Sequence, residues 1–264
     1  MSLLKNIQLV WDFANYYVKS TNRHGLQGPF AYALNEAVFR RDRFDELFLP
    51  IERLRRKMLA DTRTIQVRDF GAGFGGVNYT ARTVSYIAKH SAKPPRYARM
   101  LYRLVKHRQP KIMLELGTSF GISALYQSSG APQGKLLTLE GCPNTAQQAR
   151  ENFSQFSHCQ IEVVEGPFDE TLPSVLAQQQ AIDYVYLDGH HRLEPTLKYV
   201  DMIYPHLSPD AVIVVDDINW SEEMKQAWQQ LKTDARFTQS IDVFMMGLLF
   251  TNKDLSKENF TIRY

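Results

Sequence analysis

After Pro110 the sequence alternates between short apolar runs and stretches with helical periodicity, and this alternation constrains the fold more than any other feature. The apolar runs lie in KIMLELG, KLLTLEG, CQIEVVEG, IDYVYLDG and AVIVVDDI, and helices are predicted near 121–129, 144–156, 170–179, 194–206 and 221–233. Strands that alternate with helices are typical of right-handed βαβ crossovers in a mostly parallel sheet. The runs are continuously apolar, so we expect helices to cover both faces of the sheet.

The C-terminal stretch FTQSIDVFMMGLLFTN departs from this alternation. It reads as two strands joined almost directly at Met245 and Met246, and such a close connection requires an antiparallel pair. The sequence therefore predicts an α/β fold. Its sheet would be doubly wound, mostly parallel and seven-stranded, with one antiparallel strand near the edge.

The first 110 residues follow a different pattern. Residues 1–60 carry apolar side chains at three- and four-residue spacing, which predicts helices that begin or break at Pro29 and Pro50. Residues 62–76 alternate briefly and then become glycine-rich, which predicts an extended segment followed by a loop. Residues 80–110 predict two helices separated by a pair of prolines.

Charge divides the chain at the same place. Residues 1–110 hold 20 Lys and Arg against 8 Asp and Glu, a net charge of +12, whereas residues 111–264 carry −9. A basic part can attract nucleic acid, but no nucleic-acid-binding motif accompanies the charge, so we favour packing against the acidic part of the same chain. No run of about eighteen apolar residues and no signal-peptide core is present, which predicts a cytoplasmic protein without a membrane partner.

The loop in LELGTSFGIS, residues 114–123, is the strongest candidate for a ligand site, because ligands of such sheets bind at the carboxyl ends of the strands. Gly117 permits a sharp turn, and Gly121 permits close backbone approach where the helix starts. A phosphate-binding P-loop is excluded because no lysine follows Gly121. A dinucleotide fingerprint requires glycine where Ser119 stands, and Glu115 places negative charge where an anion would lie. The loop therefore favours a cationic ligand.

A second glycine-rich stretch, GAGFGG at residues 71–76, resembles a nucleotide-binding fingerprint in composition only. No strong apolar strand precedes it and no helix opens directly after it, although the fingerprint needs both. We interpret this stretch as a loop or a junction between two parts of the chain.

From Leu114 onward the motifs resemble those of class I S-adenosylmethionine-dependent methyltransferases, and more narrowly the O-methyltransferases of the catechol and caffeoyl-CoA type and their bacterial relatives. LELGTSFGIS resembles that group's first motif, and GKLLTLEGCPNTAQQARENF resembles its second strand, which ends in the acid Glu140. IDYVYLDGHH and AVIVVDDINWS resemble the fourth and fifth strands. The resemblance covers about residues 111–264. It implies a Rossmann-like methyltransferase domain over 94–264 and a helical N-terminal extension, or lid, over 1–93.

The resemblance implies S-adenosylmethionine as the cofactor and an oxygen of a small molecule as the methyl acceptor. The N–H groups of the 117–121 loop would take the cofactor carboxylate, and Glu115 would lie beneath that loop. Glu140 would accept hydrogen bonds from both ribose hydroxyls, and Asp188 would face the methyl group. The expected cofactor-binding residues are Glu115, Gly117, Thr118, Ser119, Gly121, Ser123, Glu140, Gly141, Gly166, Phe168 and Asp188.

Catechol-type enzymes hold Mg²⁺ through two aspartates and an asparagine, and a lysine beside the metal takes the substrate proton. Asp188, Asp216 and Asp217 fall on the three ligand positions, and His191 falls on the lysine. The resemblance therefore implies two alternatives. One is a Mg²⁺ site at the three aspartates, and the other is metal-free acid–base chemistry by His190 and His191 beside Asp188.

Two functions of other classes stay open from the sequence. One is an NAD-dependent oxidoreductase, which the missing middle glycine and Glu115 disfavour. The other is a non-catalytic nucleic-acid-binding protein that uses the basic N-terminal part. The sequence leaves the identity of the methyl acceptor open, and a homodimer is among the assemblies to be tested.

Overall fold

A computed structural model describes residues 3–21, 28–40, 44–69 and 78–264. The GAGFGG stretch at 71–76 lies outside the described residues. Within those ranges the chain forms ten α-helices and ten β-strands. The helices are α1 (Leu3–Lys19), α2 (Pro29–Leu34), α3 (Phe48–Ala60), α4 (Val84–Ser91), α5 (Pro95–Arg108), α6 (Ile122–Gly130), α7 (Pro143–Phe153), α8 (Phe168–Gln178), α9 (Leu193–Ile203) and α10 (Glu222–Thr233). The strands are β1 (Thr64–Asp69), β2 (Asn78–Thr83), β3 (Ile112–Leu116), β4 (Lys135–Glu140), β5 (Ile161–Glu165), β6 (Ile182–Leu187), β7 (Leu207–Asp216), β8 (Gln239–Asp242), β9 (Met246–Phe250) and β10 (Glu258–Thr261).

The chain divides into two compact units. One unit, called the split unit below, combines Met1–Arg40 with Gln180–Tyr264. The other, called the central unit, is the continuous segment Arg41–Gln179. Each of the two units therefore contains strands of the α/β pattern together with part of the N-terminal region.

In the central unit, β4 pairs in parallel with both β3 and β5, and β1 pairs with β2 in an antiparallel hairpin. Its core is built from apolar side chains of α3, α4, α5 and α6. The ring of Phe48 lies edge-on to Tyr102, with centroids 4.9 Å apart, and 5.0 Å from Tyr126. Helices of the N-terminal region thus share one hydrophobic core with the helix that follows the glycine loop.

In the split unit, β6 and β7 are parallel, as are β8 and β10. Strand β9 runs antiparallel to both of its neighbours, β7 and β8. Helix α1 is fixed to this unit through its inner face. The Tyr16 hydroxyl donates to the carbonyl of Ile262 and accepts from the N–H of Tyr264, and Asp12 pairs with Lys225 at 2.5 Å.

The mostly parallel α/β architecture with one antiparallel strand is confirmed, and the predicted helices after Pro110 are all present within a few residues of their expected bounds. The structure adds β10, which the sequence prediction missed. Residues 78–83 form strand β2 rather than the start of a helix, because their backbone pairs with β1 from Thr64↔Thr83 to Asp69↔Asn78. In the part of the chain that the structure describes, no helix combines the length and the apolar character needed to cross a bilayer.

Candidate functional site

The loop between β3 and α6 requires glycine at two positions. Gly117 and Gly121 have φ angles of 106° and 80°, in the left-handed region where side chains are strained. A Cβ on Gly121 would also lie 2.2 Å from the Cε1 atom of Phe153, far inside contact distance. Ser119 adopts φ 48° between them. The turn is therefore sharply folded, and its shape depends on the absence of a side chain at Gly117 and Gly121.

Glu115 lies directly beneath this loop and is fully buried. Its Oε1 accepts hydrogen bonds from Ser123 Oγ and Gln127 Nε2, both at 2.7 Å, and its Oε2 accepts from Thr138 Oγ1 at 2.6 Å. Burial raises the pKa of Glu115 to about 7, and the three hydrogen bonds oppose that rise. Glu115 thus shapes the loop from inside the unit, as expected.

Two of the loop hydroxyls serve the same network. The single proton of the Thr138 hydroxyl goes to Glu115, so Thr118 Oγ1, 2.7 Å away, donates to Thr138. Thr118 and Ser123 are both buried. Their hydroxyls therefore order the turn from within, and their contact with a cofactor stays a prediction.

Glu140 ends β4 and is tied to the loop through backbone N–H groups. Its Oε2 accepts from the N–H of Ser119 at 2.8 Å, and its Oε1 accepts from the N–H of Cys142 at 2.9 Å. Burial raises the pKa of Glu140 to about 6, against the lowering effect of these hydrogen bonds and one from Gly141. Each carboxylate oxygen can accept more than one hydrogen bond, so Glu140 retains acceptor capacity for a ligand.

The loop N–H groups are largely used inside the protein. Those of Gly117 and Thr118 donate to the carbonyl of Leu139 at 3.0 and 3.2 Å, and that of Gly121 donates to the carbonyl of Thr118 at 2.9 Å. Together with the Ser119 N–H, four donors are engaged. The expectation that the loop N–H groups take the cofactor carboxylate stays a prediction, and in this structure these four donate within the protein.

The turn between β5 and α8 approaches the same acid. Gly166 has φ 136°, and its N–H donates to the backbone carbonyl of Glu140 at 2.9 Å. A Cβ at Gly166 would lie 2.8 Å from Thr171 Cγ2. Phe168 opens α8 and is 8% exposed. The structure thus brings Gly166 to Glu140, and the contact of Phe168 with adenine stays a prediction.

A second group of candidate residues lies at the ends of β6 and β7 in the split unit. His191 Nε2 is 3.6 Å from Asp188 Oδ1, and His191 Nδ1 is 3.9 Å from Asp217 Oδ2. One ligand atom from each of the three residues lies within 4.8 Å of the others. His191 and Asp217 have φ angles of 40° and 53°, so the backbone leaves ordinary geometry at both positions. We call these three residues the Asp–His–Asp cluster.

The structure separates the two consecutive aspartates. Asp217 is half-buried in the cluster, whereas Asp216 is fully buried, with Oδ2 2.9 Å from the hydroxyl of Tyr186. The same hydroxyl lies 3.2 Å from Oδ2 of Asp188. Among the described residues, this cluster is the one group of three or more His, Cys, Asp and Glu side chains placed to hold a metal ion. The cluster therefore contains His191 but not Asp216, and a metal site at the three aspartates stays a prediction.

His190 has a different environment from His191. Its φ is 63°, and its ring lies 5.7 Å from that of Tyr199 on α9, with the planes inclined by 56°. His191 lies near both carboxylates of the cluster, and the part of His190 in an acid–base pair stays a prediction.

Sequence reasoning missed three side chains that organise these groups. Thr138 is a polar residue inside the apolar strand β4, and Gln127 lies one helical turn after Ser123. Tyr186 lies on β6, two positions before Asp188, which follows the end of that strand, and its hydroxyl lies 3.2 Å from Oδ2 of Asp188. The signal in the sequence that could have identified them is a polar residue within an apolar run.

Comparison with known proteins matches residues 114–218 to a family model described as a methyltransferase domain. Catechol O-methyltransferase of Mycobacterium tuberculosis is 32% identical over 146 residues, which make up 52% of this chain and 64% of that protein. The chain thus spans just under two thirds of the length of that relative.

Solved structures share the fold. An O-methyltransferase from Bacillus cereus in complex with SAH aligns with a TM-score of 0.56 and 14% identity, over 83% of this chain and 94% of that one. The O-methyltransferase TomG from Streptomyces achromogenes in complex with SAM aligns with a TM-score of 0.53 and 20% identity, over 61% and 82%. The fold is therefore Rossmann-like, as in these solved O-methyltransferases. Over residues 114–218 the chain is similar to a methyltransferase domain, and its relatives include a catechol O-methyltransferase.

Proposed function

We propose that this protein transfers the methyl group of S-adenosylmethionine to an oxygen atom of a small-molecule acceptor. The observation that carries the proposal is Glu140, which ends β4 and is oriented by the N–H groups of Ser119 and Cys142. A carboxylate held in this way can accept hydrogen bonds from two vicinal ribose hydroxyls. Relatives of this family that carry SAM or SAH support the choice of cofactor.

The remaining expected cofactor residues take separate roles in this proposal. Glu115, Thr118 and Ser123 order the loop from within, and Gly117, Ser119 and Gly121 give it room and shape. Gly141, Gly166 and Phe168 border the nucleoside beside Glu140, and Asp188 is assigned to the methyl end. Because four loop N–H groups are engaged internally, the amino-acid part of the cofactor is recognised by other donors.

The reaction is an in-line displacement at the methyl carbon. The acceptor hydroxyl gives its proton to His191, and its oxygen forms a bond to the methyl group. The sulfur–carbon bond breaks, and its electron pair stays on sulfur to give S-adenosylhomocysteine. Asp188 and Asp217 stabilise the positive charge that develops on the imidazole, since each has a carboxylate oxygen within 4 Å of a ring nitrogen.

The same cluster is suited to hold a divalent cation, and this is the second form of the proposal. Two carboxylates and an imidazole are a donor set that suits first-row transition metals better than Mg²⁺, which prefers oxygen ligands. When bound, such an ion polarises the acceptor oxygen and favours its ionised form. Asp188, His191 and Asp217 would hold it, and Tyr186 would orient Asp188 from behind.

We further propose that residues 1–93 form an extension that covers the cofactor loops of a methyltransferase domain over 94–264. Two contacts support this role. Ser91 Oγ on α4 lies 2.6 Å from Ser119 Oγ, and the N–H of Arg68 on β1 donates to Cys142 Sγ at 3.2 Å. The cytoplasmic location and a homodimer stay predictions. The NAD-dependent and nucleic-acid-binding alternatives gain no support from the relatives.

The test is calorimetric titration with S-adenosylmethionine, S-adenosylhomocysteine and, as control, NAD. Glu140→Ala removes two charge-assisted acceptors, so we expect a loss of cofactor affinity of about 100-fold. Glu165→Ala is the matched control, because Glu165 also ends a neighbouring strand but is exposed and paired with Arg150. Equal affinity of the two variants, or binding of NAD instead, would contradict the proposal.

Acceptor identity requires a separate screen. Methyl transfer from labelled cofactor to a panel of phenols, catechols and hydroxylated heterocycles, with matched amines and thiols, distinguishes oxygen from nitrogen and sulfur acceptors. We expect activity on the oxygen series that His191→Asn reduces. Activity confined to amines or thiols would overturn the assignment to oxygen.

A further inference from the structure

The outward face of α1 carries a stripe of exposed apolar side chains. Thirteen large hydrophobic side chains are exposed among the described residues, and six of them belong to this one helix: Ile7, Val10, Trp11, Phe13, Tyr17 and Val18. Val18 is 83% exposed and Trp11 64%. At 3.6 residues per turn, all of these except Phe13 fall on one side of the helix, which we call the α1 stripe. Contiguous exposed apolar surface of this kind marks an interaction site.

The opposite face of α1 holds the helix in place. The Phe13 ring meets Phe244 edge-on with centroids 5.0 Å apart, and Tyr16 is buried against Ile262 and Tyr264. The ion pair between Asp12 and Lys225 adds a polar anchor. The stripe therefore points outward because the other side of the helix is already docked.

The charges around the α1 stripe are positive. Asp12 is the one acid in the helix, and it pairs with Lys225 on the inner side. Lys19 is exposed in the last turn, and the guanidinium of Arg263 lies 3.9 Å from the centroid of the exposed Tyr17 ring. The first turn of α1 contains no acid, so the positive end of the helix dipole is not neutralised there.

We propose that the α1 stripe binds the surface of a lipid bilayer that contains anionic phospholipids. An amphipathic helix with aromatic and branched side chains on one face and cations at its edges lies in the interface plane, where the apolar face enters the headgroup boundary. Trp11 and Tyr17 suit this boundary because their rings are apolar and their tips polar. Lys19 and Arg263 would then meet lipid phosphates.

A second copy of the chain fits the same surface less well. In an antiparallel pair of α1 helices, the positive N-terminal end of one would face Lys19 and Arg263 of the other. In a parallel pair, the two sets of cations would meet at one end. Like charges oppose both arrangements, whereas an anionic surface complements all of these charges at once.

The experiment is co-sedimentation of the full chain with vesicles of phosphatidylcholine alone and of phosphatidylcholine mixed with phosphatidylglycerol. We expect binding to the anionic vesicles that weakens with salt, because exposed charges are screened. Lys19→Glu should weaken binding by about fivefold or more, the effect of one cation near such a surface. Trp11→Glu should abolish it. Leu59→Glu is the matched control, since Leu59 is an exposed apolar residue of a different helix, α3, and is 42% accessible.

The outcomes separate the alternatives. Binding that Trp11→Glu abolishes and Leu59→Glu leaves intact supports the proposal, provided that circular dichroism shows both variants folded. Equal binding by wild type and Trp11→Glu would overturn it, as would no binding or equal binding to neutral vesicles. A dimer in analytical ultracentrifugation that Trp11→Glu dissociates would assign the stripe to a second copy instead.

Discussion

The two groups of candidate residues are built on opposite principles. Around Glu115 and Glu140, the carboxylates have donors at 2.6–2.9 Å and the side chains are mostly buried. In the Asp–His–Asp cluster, the nitrogen–oxygen distances are 3.6 and 3.9 Å, too long for hydrogen bonds, and all three residues are half-buried. In the first group, the carboxylate oxygens accept hydrogen bonds from donors of the protein itself. In the second group, one ligand atom from each of the three side chains lies within 4.8 Å of the others, a spacing suited to an ion or an acceptor between them.

The sharpest test of this contrast is Glu115→Ala. It leaves the buried donors of Ser123, Gln127 and Thr138 without their acceptor, so we expect the free energy of unfolding to fall by about 3–4 kcal/mol. Chemical denaturation measures this loss. Asp217→Asn is the comparison variant, because asparagine tolerates the left-handed backbone of this position, and we expect it to change stability by less than about 0.5 kcal/mol. Similar losses in both would mean that the two groups do not differ as described.

The converse test removes the histidine of the cluster. His191→Asn should lower kcat by about 10²–10³-fold, the contribution of a positioned general base, while stability and cofactor affinity stay near those of wild type. His191→Lys should retain part of the activity, since lysine is the residue of the catechol-type pattern. A loss of cofactor affinity equal to the loss of rate would instead make His191 a cofactor contact.

The pH dependence of stability should report the burial of Glu115. The native pKa of Glu115 is about 7 against an ordinary value of 4.5, so the native state binds its proton more tightly than the unfolded chain. Stability from this group is therefore greatest below pH 4.5 and falls as the pH rises to about 7, by about 2–3 kcal/mol. Denaturation at several pH values should show a smaller decline for Glu115→Gln than for wild type. Parallel curves would contradict the assignment.

Metal selectivity tests the Asp–His–Asp cluster directly. With an imidazole among its ligands, the cluster should bind Mn²⁺ at least about tenfold more tightly than Mg²⁺. Calorimetry on chelator-treated protein measures both affinities, and Asp217→Asn should weaken them. A preference for Mg²⁺ would place Asp216 in the ligand set after all, and no binding of either ion would favour the metal-free mechanism.

The smallest expected effect concerns Ser91. Its exposed hydroxyl contact with Ser119 is worth a few tenths of a kcal/mol, so Ser91→Ala should weaken cofactor binding by only about two- to threefold. Ser154→Ala is a fitting control, because Ser154 is an exposed serine whose hydroxyl bonds to the backbone of its own segment. Identical cofactor affinities of Ser91→Ala and wild type in this titration would contradict the proposal that the extension covers the cofactor loops.

The glycine loop and Glu140 could be predicted from sequence because their signals are local. The signals are a glycine at the end of one strand and an acid at the end of the next. Both follow from the local backbone conformation and do not depend on distant residues. Strand β10 could not be predicted, since ENFT has no apolar run and is a strand only through its pairing with β8. The helix prediction was wrong at the residues of β2 for the same reason, because pairing with β1 determines their conformation.

The separation of Asp216 from Asp217 was also beyond the sequence. Two consecutive aspartates look equivalent in a motif, but neighbouring residues of a strand point to opposite faces. Here Asp216 is the last residue of β7 and turns inward to Tyr186, while Asp217 has left the strand with φ 53°. Only the backbone conformation after the strand determines which carboxylate reaches the histidine.

The split unit has a consequence for synthesis on the ribosome. The central unit is continuous, so it can fold as soon as it has emerged. Helix α1 emerges before it, yet the partners described for its inner face, from Lys225 to Tyr264, are translated after the whole of the central unit. At about 5–20 residues per second, this interval is on the order of 10–40 s. During this time the inner, aromatic face of α1 is exposed together with the α1 stripe, which makes the nascent chain a natural client for chaperones.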